Sequence, residues 1–573
     1  MDREYFHQDM RHFIDHRVDW ARYFKLLRGS DGDVAGEVET FKAILGTLAE
    51  ICEDIEAGAK EHWHEEVRLE DGRVVVPPHI ASGYDKLRQA GLVCLILDAR
   101  YGGYGLPILL NSGYLEMISR ADTSLMTIVG LQAGVAGDIQ KYGSEEIKQR
   151  YLPRFASGEL QGCMDLTEPQ AGSDLGGIAT RVTEENGRFF IDGGKIFITN
   201  GGSDVHLVLA RDAATYEQSK GTTNGLSLML CPVVLPDGTR NSVRVSRVET
   251  KMGIHGSPTC AVEFEHAEAF LLGERGNGFR AMLDLMNQAR LGVAAQAIGI
   301  AEAAYRQARN YAAERVQFGA PIIDQPLVKS MLTLMALNIQ ASRALLYRTC
   351  AMIDMTEAIA RYLASDRDEP GLDRRALQEE HERNTQLVRF FTPLCKYYAT
   401  EISSRVTRAG IQIHGGLGYM AESAAGHYHS DSIITTIYEG TSEIQASFAL
   451  REMSKGALFT ALEQTRADLE HLDDRFPEEA KEVTAGIAAL TASLPDLMED
   501  PRYALLNAKR VCDMVIHVVV AAELLFQAEA VPGKLELAAS FIHRYMLLVD
   551  MHAKRIQSGD VSRLERYNRI LGL

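Results

Sequence analysis

Positive charge is in short supply in this chain: 60 Lys and Arg stand against 78 Asp and Glu, a formal net charge of −18. Such a surface repels phosphate, which argues against a generic nucleic-acid or anionic-membrane binder while leaving room for a local basic patch. Eight cysteines are scattered without a CxxC pair. In a long chain they read as buried thiols in a reducing cytosol, not as a disulfide frame. Apolar runs are short or broken by charge, so no transmembrane helix is expected. The N-terminus, MDREYFHQDMRHFIDHRVDW, is charged and amphipathic and lacks a signal-peptide core, so a cytoplasmic location is expected.

Several motifs are also missing. Without Walker A, HExxH or GxSxG, the NTPase, zinc-protease and α/β-hydrolase readings are set aside. Gly273-Glu-Arg-Gly-Asn-Gly278 reads as a turn, and Gln412-Ile-His-Gly-Gly-Leu-Gly418 follows a helical pattern without GxGxxG spacing. A nicotinamide-binding Rossmann domain is therefore unsupported. His12/His16 and His427/His429 lie close in sequence but lack further ligands at metal-site spacing, so they read as surface or packing histidines and no metal is expected.

What is present is a 573-residue chain of ordinary globular composition, 46% hydrophobic and 24% charged. That length implies two to four structural units. The expected organisation is an N-terminal arm (1–38), a helical domain (39–162), a central β-domain (163–276), a helical bundle (277–455) and a C-terminal helical extension (456–573). Helical spacing is clear at Phe41–Ile51, Phe279–Glu314 and Leu327–Met355. Arg188–Thr199 reads as two short strands around an Asp-Gly-Gly turn. Val205–Ala210, Leu226–Val234 and Cys260–Phe264 read as further strands, residues 365–376 as a charged connection, and 467–480 and 495–501 as loops. The fold class is mainly α with a small central β-barrel or sandwich and a C-terminal four-helix bundle plus extension.

Five segments carry chemistry. Met164-Asp-Leu-Thr-Glu-Pro-Gln-Ala-Gly-Ser-Asp174 offers hydroxyls and backbone N–H groups to a polar ring edge or phosphate, with a plain inter-domain turn as the alternative. Phe197 and Thr199, two apart on a strand, share a face suited to a flat heterocycle or to core packing. In Glu314-Arg-Val-Gln-Phe-Gly-Ala-Pro321, Arg315 suits a phosphate and Phe318 a base; alternatively Gly319 ends the helix as a C-cap. Gln412–Gly418 is the fourth. In Ile437-Tyr-Glu-Gly-Thr-Ser-Glu-Ile-Gln445, Glu439 is a carboxylate in largely apolar surroundings, where lost solvation raises its pKa towards that of a base near neutrality, and Gly440 allows close approach to a ligand.

In this order the segments resemble the acyl-CoA dehydrogenase flavoprotein family, over roughly residues 40–455, and the length is similar to the larger bacterial type, the 3-methylmercaptopropionyl-CoA dehydrogenase-like group. The resemblance implies FAD contacts at Met164, Leu166, Thr167, Phe197, Thr199 and Thr441, with Ser173 near flavin and thioester. It implies that Arg315, Gln317 and Phe318, completed by Gln412, Gly415 and Gly416, hold the FAD pyrophosphate and adenosine of a neighbouring subunit, hence a homo-oligomer, with a homodimer favoured over a tetramer. Glu439 matches the usual catalytic base, and Ala289 occupies the position of the alternative glutamate before Arg290. Asn287, Arg290, Tyr438 and Gly440 fall at substrate positions; Asn287 replaces a frequent aspartate, Glu443 at a cofactor position replaces a frequent glutamine, and Gln325-Pro326 departs from the common pair. The implied reaction is FAD-dependent α,β-dehydrogenation of an acyl-CoA in fatty acid β-oxidation, with electron-transferring flavoprotein as acceptor. Alternatives are an acyl-CoA oxidase of the same fold and a DNA-associated or assembly flavoprotein with weak activity.

Overall fold

The computed structural model describes residues 5–29, 32–472, 474–498 and 500–573. The chain forms two compact units: Glu39–Gln307 with Gly410–Thr435, to which Tyr5 and Phe6 belong, and His7–Val38 with Ala308–Ala409 and Thr436–Leu573.

In the first unit the chain order is α3 (Val34–His62, from Glu39 onward), β1 (Arg68–Glu70), β2 (Arg73–Val75), α4 (Pro78–Gln89), α5 (Ile108–Ala121), α6 (Thr123–Tyr142) and α7 (Glu145–Ala156). A seven-stranded sheet follows: β3 (Gly162–Asp165), β4 (Arg181–Glu185), β5 (Arg188–Thr199), β6 (Val205–Asp212), β7 (Leu226–Pro232), β8 (Val243–Val248) and β9 (Thr259–Leu272). Its path β3-β6-β4-β5-β9-β7 is closed by an added β6–β7 pairing, giving a barrel, with β8 on β9. β3 and β4 both run parallel to β6, and the other pairings are antiparallel. One face packs Val208, Ile191, Cys260 and Phe264 together, and the opposite side packs Leu207, Leu209 and Leu228 with Val135 and Phe155 of the helices. That two-sided burial explains why β6 and β7 are buried along their whole length.

Residues 188–199 form one twelve-residue strand, not two. Asp192-Gly193 is a register shift, with Gly193 at φ 147° and an added Cβ 2.6 Å from Thr180 Oγ1, so the glycine serves a bulge. The hairpin turn lies just before it at Asn186 (φ 51°) and Gly187 (φ 78°), the two positive φ values of a type I′ turn. A second shift between Lys195 and Ile198 places Phe197 at φ 59°, so Phe197 and Thr199 are not related by simple strand alternation.

The second unit is helical. It includes α1 (Gln8–His12), α2 (Trp20–Arg28), α10 (Pro326–Leu363) and most of α11 (Arg374–His414), then α13 (Ser442–Met453), α14 (Ala457–Leu472), α15 (Pro477–Met498), α16 (Pro501–Ala530) and α17 (Leu535–Gln557). Three elements fall between these in chain order: α8 (Tyr216–Ser219), α9 (Gly278–Glu314) and α12 (Ala424–Thr435). The stretches expected as loops at 467–480 and 495–501 are mostly helix: Pro477 and Pro501 begin α15 and α16, where a missing N–H costs nothing, and Pro495 lies near the end of α15. Among the described residues α16 passes for a membrane span by length and composition only, and 89% of its apolar window is buried inside the protein, as in a core helix. The N-terminal arm is tied to it by Arg17, whose guanidinium donates to Glu523 at 2.7 and 3.0 Å. All eight cysteines are free and buried, as expected.

Candidate active site

The hydroxyl-rich turn leaves β3 at Asp165 and is fixed at both ends by buried ions. At its start, Lys195 Nζ donates to Glu168 Oε1 (2.8 Å), Leu166 O (3.0 Å) and Leu209 O (2.9 Å). Glu168 also accepts the backbone N–H groups of Ala179 (2.8 Å) and Thr180 (3.1 Å). Burial alone would raise the Glu168 carboxyl, but the Lys195 charge and these donors hold it below its usual range. At the far end Arg211, 0% exposed, donates to five carbonyls, those of Gly176, Ile178, Ser219, Thr222 and Asn224, at 2.7–3.1 Å.

Between these anchors Met164 and Leu166 are buried, Thr167 is half-buried and Ser173 is exposed. Phe197 is 60% exposed on its positive-φ bulge, an aromatic face displayed where a phenylalanine would ordinarily bury itself. Thr199 is half-buried, and Ile196 N–H donates to Thr167 O at 2.9 Å, tying the strand to the turn. In the same unit Arg290 is buried on α9 and donates to Asn287 Oδ1 at 2.8 Å, one turn earlier. Gln412, Gly415 and Gly416 are exposed where α11 gives way to a 3₁₀ turn at Gly415–Tyr419.

The second unit holds the other predicted residues. α9 ends at Glu314, five residues before Gly319, so the C-cap alternative does not hold. Instead β10 (Val316–Gln317) and β11 (Ala320–Pro321) form a tiny hairpin around Phe318 (φ 52°) and Gly319 (φ 80°). Arg315 and Gln317 are exposed and Phe318 is 96% exposed, so the hairpin presents a cation, an amide and a ring outward. Tyr438, Glu439, Gly440 and Thr441 form the turn before α13, all half-buried. Thr441 caps the helix by accepting from Ile444 N–H (3.4 Å). Glu439 stands at φ 56°, a conformation that costs a residue with Cβ about 1–2 kcal/mol. Glu443, exposed in the first turn, pairs with Lys509 of α16 at 3.2 Å, so the C-terminal extension supplies the partner for this departure from the usual glutamine.

Sequence reasoning gave no role to Glu168, Lys195, Arg211, Lys396 or Gln445. A lysine in the apolar stretch Gly194-Lys195-Ile196 and an arginine ending the run Val205–Arg211 were the available signals. Cys163, Asp165 and His206 bring metal-type ligand atoms within 4.8 Å of one another, fully buried. Burial and the Asp165 charge push the Cys163 thiol well up, so it stays protonated and donates to Asp165 Oδ1 at 2.9 Å, a hydrogen-bonded trio.

Three family models match in order: acyl-CoA dehydrogenase N-terminal domain at 42–159, middle domain at 163–267 and C-terminal domain at 276–365 and 372–454. The 3-methylmercaptopropionyl-CoA dehydrogenase of Ruegeria pomeroyi is 33% identical over 461 residues, covering 77% of this chain and 74% of that protein. Among solved structures, an acyl-CoA dehydrogenase complexed with FAD from Bacillus anthracis superposes with TM-score 0.74 at 22% identity over 94% of this chain and 91% of that one. A chain in the structure of the electron transferring flavoprotein of Acidaminococcus fermentans does so with TM-score 0.56 at 28% identity, over 70% of this chain and 98% of that one. A barrel with its anchored hydroxyl-rich turn, the glutamate turn before α13 and these matches along one chain lead to one conclusion: the chain belongs to the acyl-CoA dehydrogenase family of oxidoreductases.

Proposed function

We propose that this enzyme oxidises an acyl-CoA thioester to the trans-2-enoyl-CoA, with Glu439 as the base. The observation that carries the reading is the Glu439 turn itself: a carboxylate and its own N–H held together on a constrained left-handed backbone. Glu439 takes the proton from the carbon α to the thioester carbonyl. The Glu439 N–H donates to that carbonyl oxygen and stabilises the enolate-like charge that develops there. By resemblance to the family, Tyr438 and Gly440 are assigned to the acyl group and, separately, Arg290 and Asn287 to the thioester side. FAD bound at the hydroxyl-rich turn would supply a hydride acceptor for the β-hydrogen with its C–H electron pair, so that loss of the α-proton to Glu439 would leave a carbon–carbon double bond.

The residues present fit FAD. Phe197 offers an exposed ring for the flavin, Thr199, Thr167 and Ser173 offer hydroxyls, and Met164 and Leu166 give the strand edge an apolar backing. The outward hairpin with Arg315, Gln317 and Phe318 suits the pyrophosphate and adenine of FAD in a second subunit, supporting a homodimer with shared cofactor, to which Gln412, Gly415, Gly416, Thr441 and Glu443 contribute. The likeness to a chain in the Acidaminococcus structure supports an electron transferring flavoprotein as acceptor.

Anaerobic titration with a panel of straight, branched and thioether acyl-CoAs tests this: at least one bleaches the oxidised flavin stoichiometrically. Failure of every member would overturn the reading. Peroxide release in air without an acceptor protein would assign the electrons to oxygen.

A further inference from the structure

The turn that carries Glu439 is gripped by two side chains from outside it. Glu439 has φ 56° and Gly440 φ 96°. A left-handed residue with Cβ persists only where its surroundings fix it. Gln445 Nε2, in the first turn of α13, donates to Glu439 O at 2.8 Å and to Gly440 O at 3.1 Å. Lys396 Nζ, reaching from α11, donates to the same Gly440 oxygen at 2.7 Å. Both residues are 0% exposed. An added Cβ on Gly440 would stand 2.7 Å from Gln445 Nε2, and the φ of 96° is itself a conformation that favours glycine.

Lys396 places a fully buried ammonium on the Gly440 carbonyl. Burying an ammonium is unfavourable, and methionine or leucine would fill the same face of α11 with less desolvation. What lysine adds is a charged donor at the end of a long stem, on a carbonyl that immediately follows the base. We infer that Lys396 and Gln445 are positioning residues for Glu439. They pin the two peptide groups after it, and so fix the direction of both its carboxylate and its backbone N–H. This inference rests on the reading of Glu439 as the base. Proton acceptor and carbonyl donor belong to one residue, so a single backbone rotation there displaces both. Losing the grip slows the chemical step and leaves substrate binding largely intact.

The test uses the FAD-loaded enzyme and whichever straight-chain acyl-CoA reduces the wild-type flavin fastest, in anaerobic stopped flow. Lys396→Met and Gln445→Leu are expected to lower the limiting rate of flavin reduction about 10- to 100-fold, the scale of a catalytic group displaced by an ångström. The half-saturating concentration and FAD content stay within about twofold. Lys396→Arg, which keeps a charged donor, recovers much of the rate. In a Glu439→Gln background, Lys396→Met has no further effect. Wild-type limiting rates in both Lys396→Met and Gln445→Leu, alongside a dead Glu439→Gln, overturn the inference, as does a loss confined to FAD content or melting temperature. Should Lys396→Met not fold, Gln445→Leu decides by the same comparison. A fully active Glu439→Gln removes the base assignment itself and this inference with it.

Discussion

Lys195 and Glu168 form a buried ion pair, 2.8 Å from Nζ to Oε1, with side chains 0% and 3% exposed. The pair joins β5 to the start of the hydroxyl-rich turn, so a charge interaction inside the barrel sets the position of Thr167. Glu168→Gln leaves the lysine buried without its counter-charge and is expected to cost about 3–5 kcal/mol of stability. The Glu168 carboxyl is held below its unfolded value, so its contribution is complete above about pH 4.5 and is lost as pH falls through the lower folded value. Urea unfolding should therefore show a gap between wild type and variant that is full at pH 7 and narrows in acid. A constant gap would contradict this.

Arg211 anchors the other end of the turn through five carbonyl contacts. Arg211→Met strands these acceptors and is expected to destabilise the protein by more than about 3 kcal/mol and to reduce bound FAD. Arg211→Lys cannot reproduce the planar fork, so it should rescue little. The flavin-to-protein absorbance ratio and the melting temperature of both variants check this.

Asp431 is a half-buried acid whose titration should be visible. Burial lifts its carboxyl to about 7; the Ile254 N–H at 2.5 Å opposes that, and neighbouring Asp122 adds to it. An acid raised by folding binds its proton more tightly when folded. It therefore costs nothing below its unfolded value, about 4, and a growing amount as pH rises through the folded value. Asp431→Asn keeps an acceptor for Ile254 and removes the cost. The melting temperature of the variant relative to wild type should rise between about pH 4 and pH 8; parallel profiles would contradict the assignment.

The pair between Glu443 and Lys509 is exposed, with side chains 72% and 40% accessible. Such pairs contribute about 0–1 kcal/mol. Glu443→Gln should leave stability nearly unchanged and should not lower FAD content. A large drop in either would give this contact a weight that its exposure does not suggest.

Much of this was legible from local pattern. The helices follow apolar spacing, and the site segments stand out because hydroxyls, glycines and acids are costly choices in otherwise apolar sequence. Backbone chirality was less legible. Asn186-Gly187 is the ordinary signal for a hairpin, and it competes with the Asp192-Gly193-Gly194 pattern that lies inside the strand Arg188–Thr199. At Phe197, Phe318 and Glu439 the positive φ values of 59°, 52° and 56° carry no signal, because these residue types seldom adopt them and tertiary contacts impose them. The supports were hidden for another reason. Lys396 meets Gly440 across 44 residues, and Lys195 meets Glu168 across 27, distances that no local period spans.

The central claim is that Glu439 removes the α-proton. The most direct measurement is anaerobic titration of Glu439→Gln with the acyl-CoA that best bleaches the wild-type flavin, on enzyme matched for FAD content. The account predicts normal FAD binding, a thioester-induced spectral perturbation and almost no bleaching, because the amide cannot take the proton. Bleaching at the wild-type rate would contradict it.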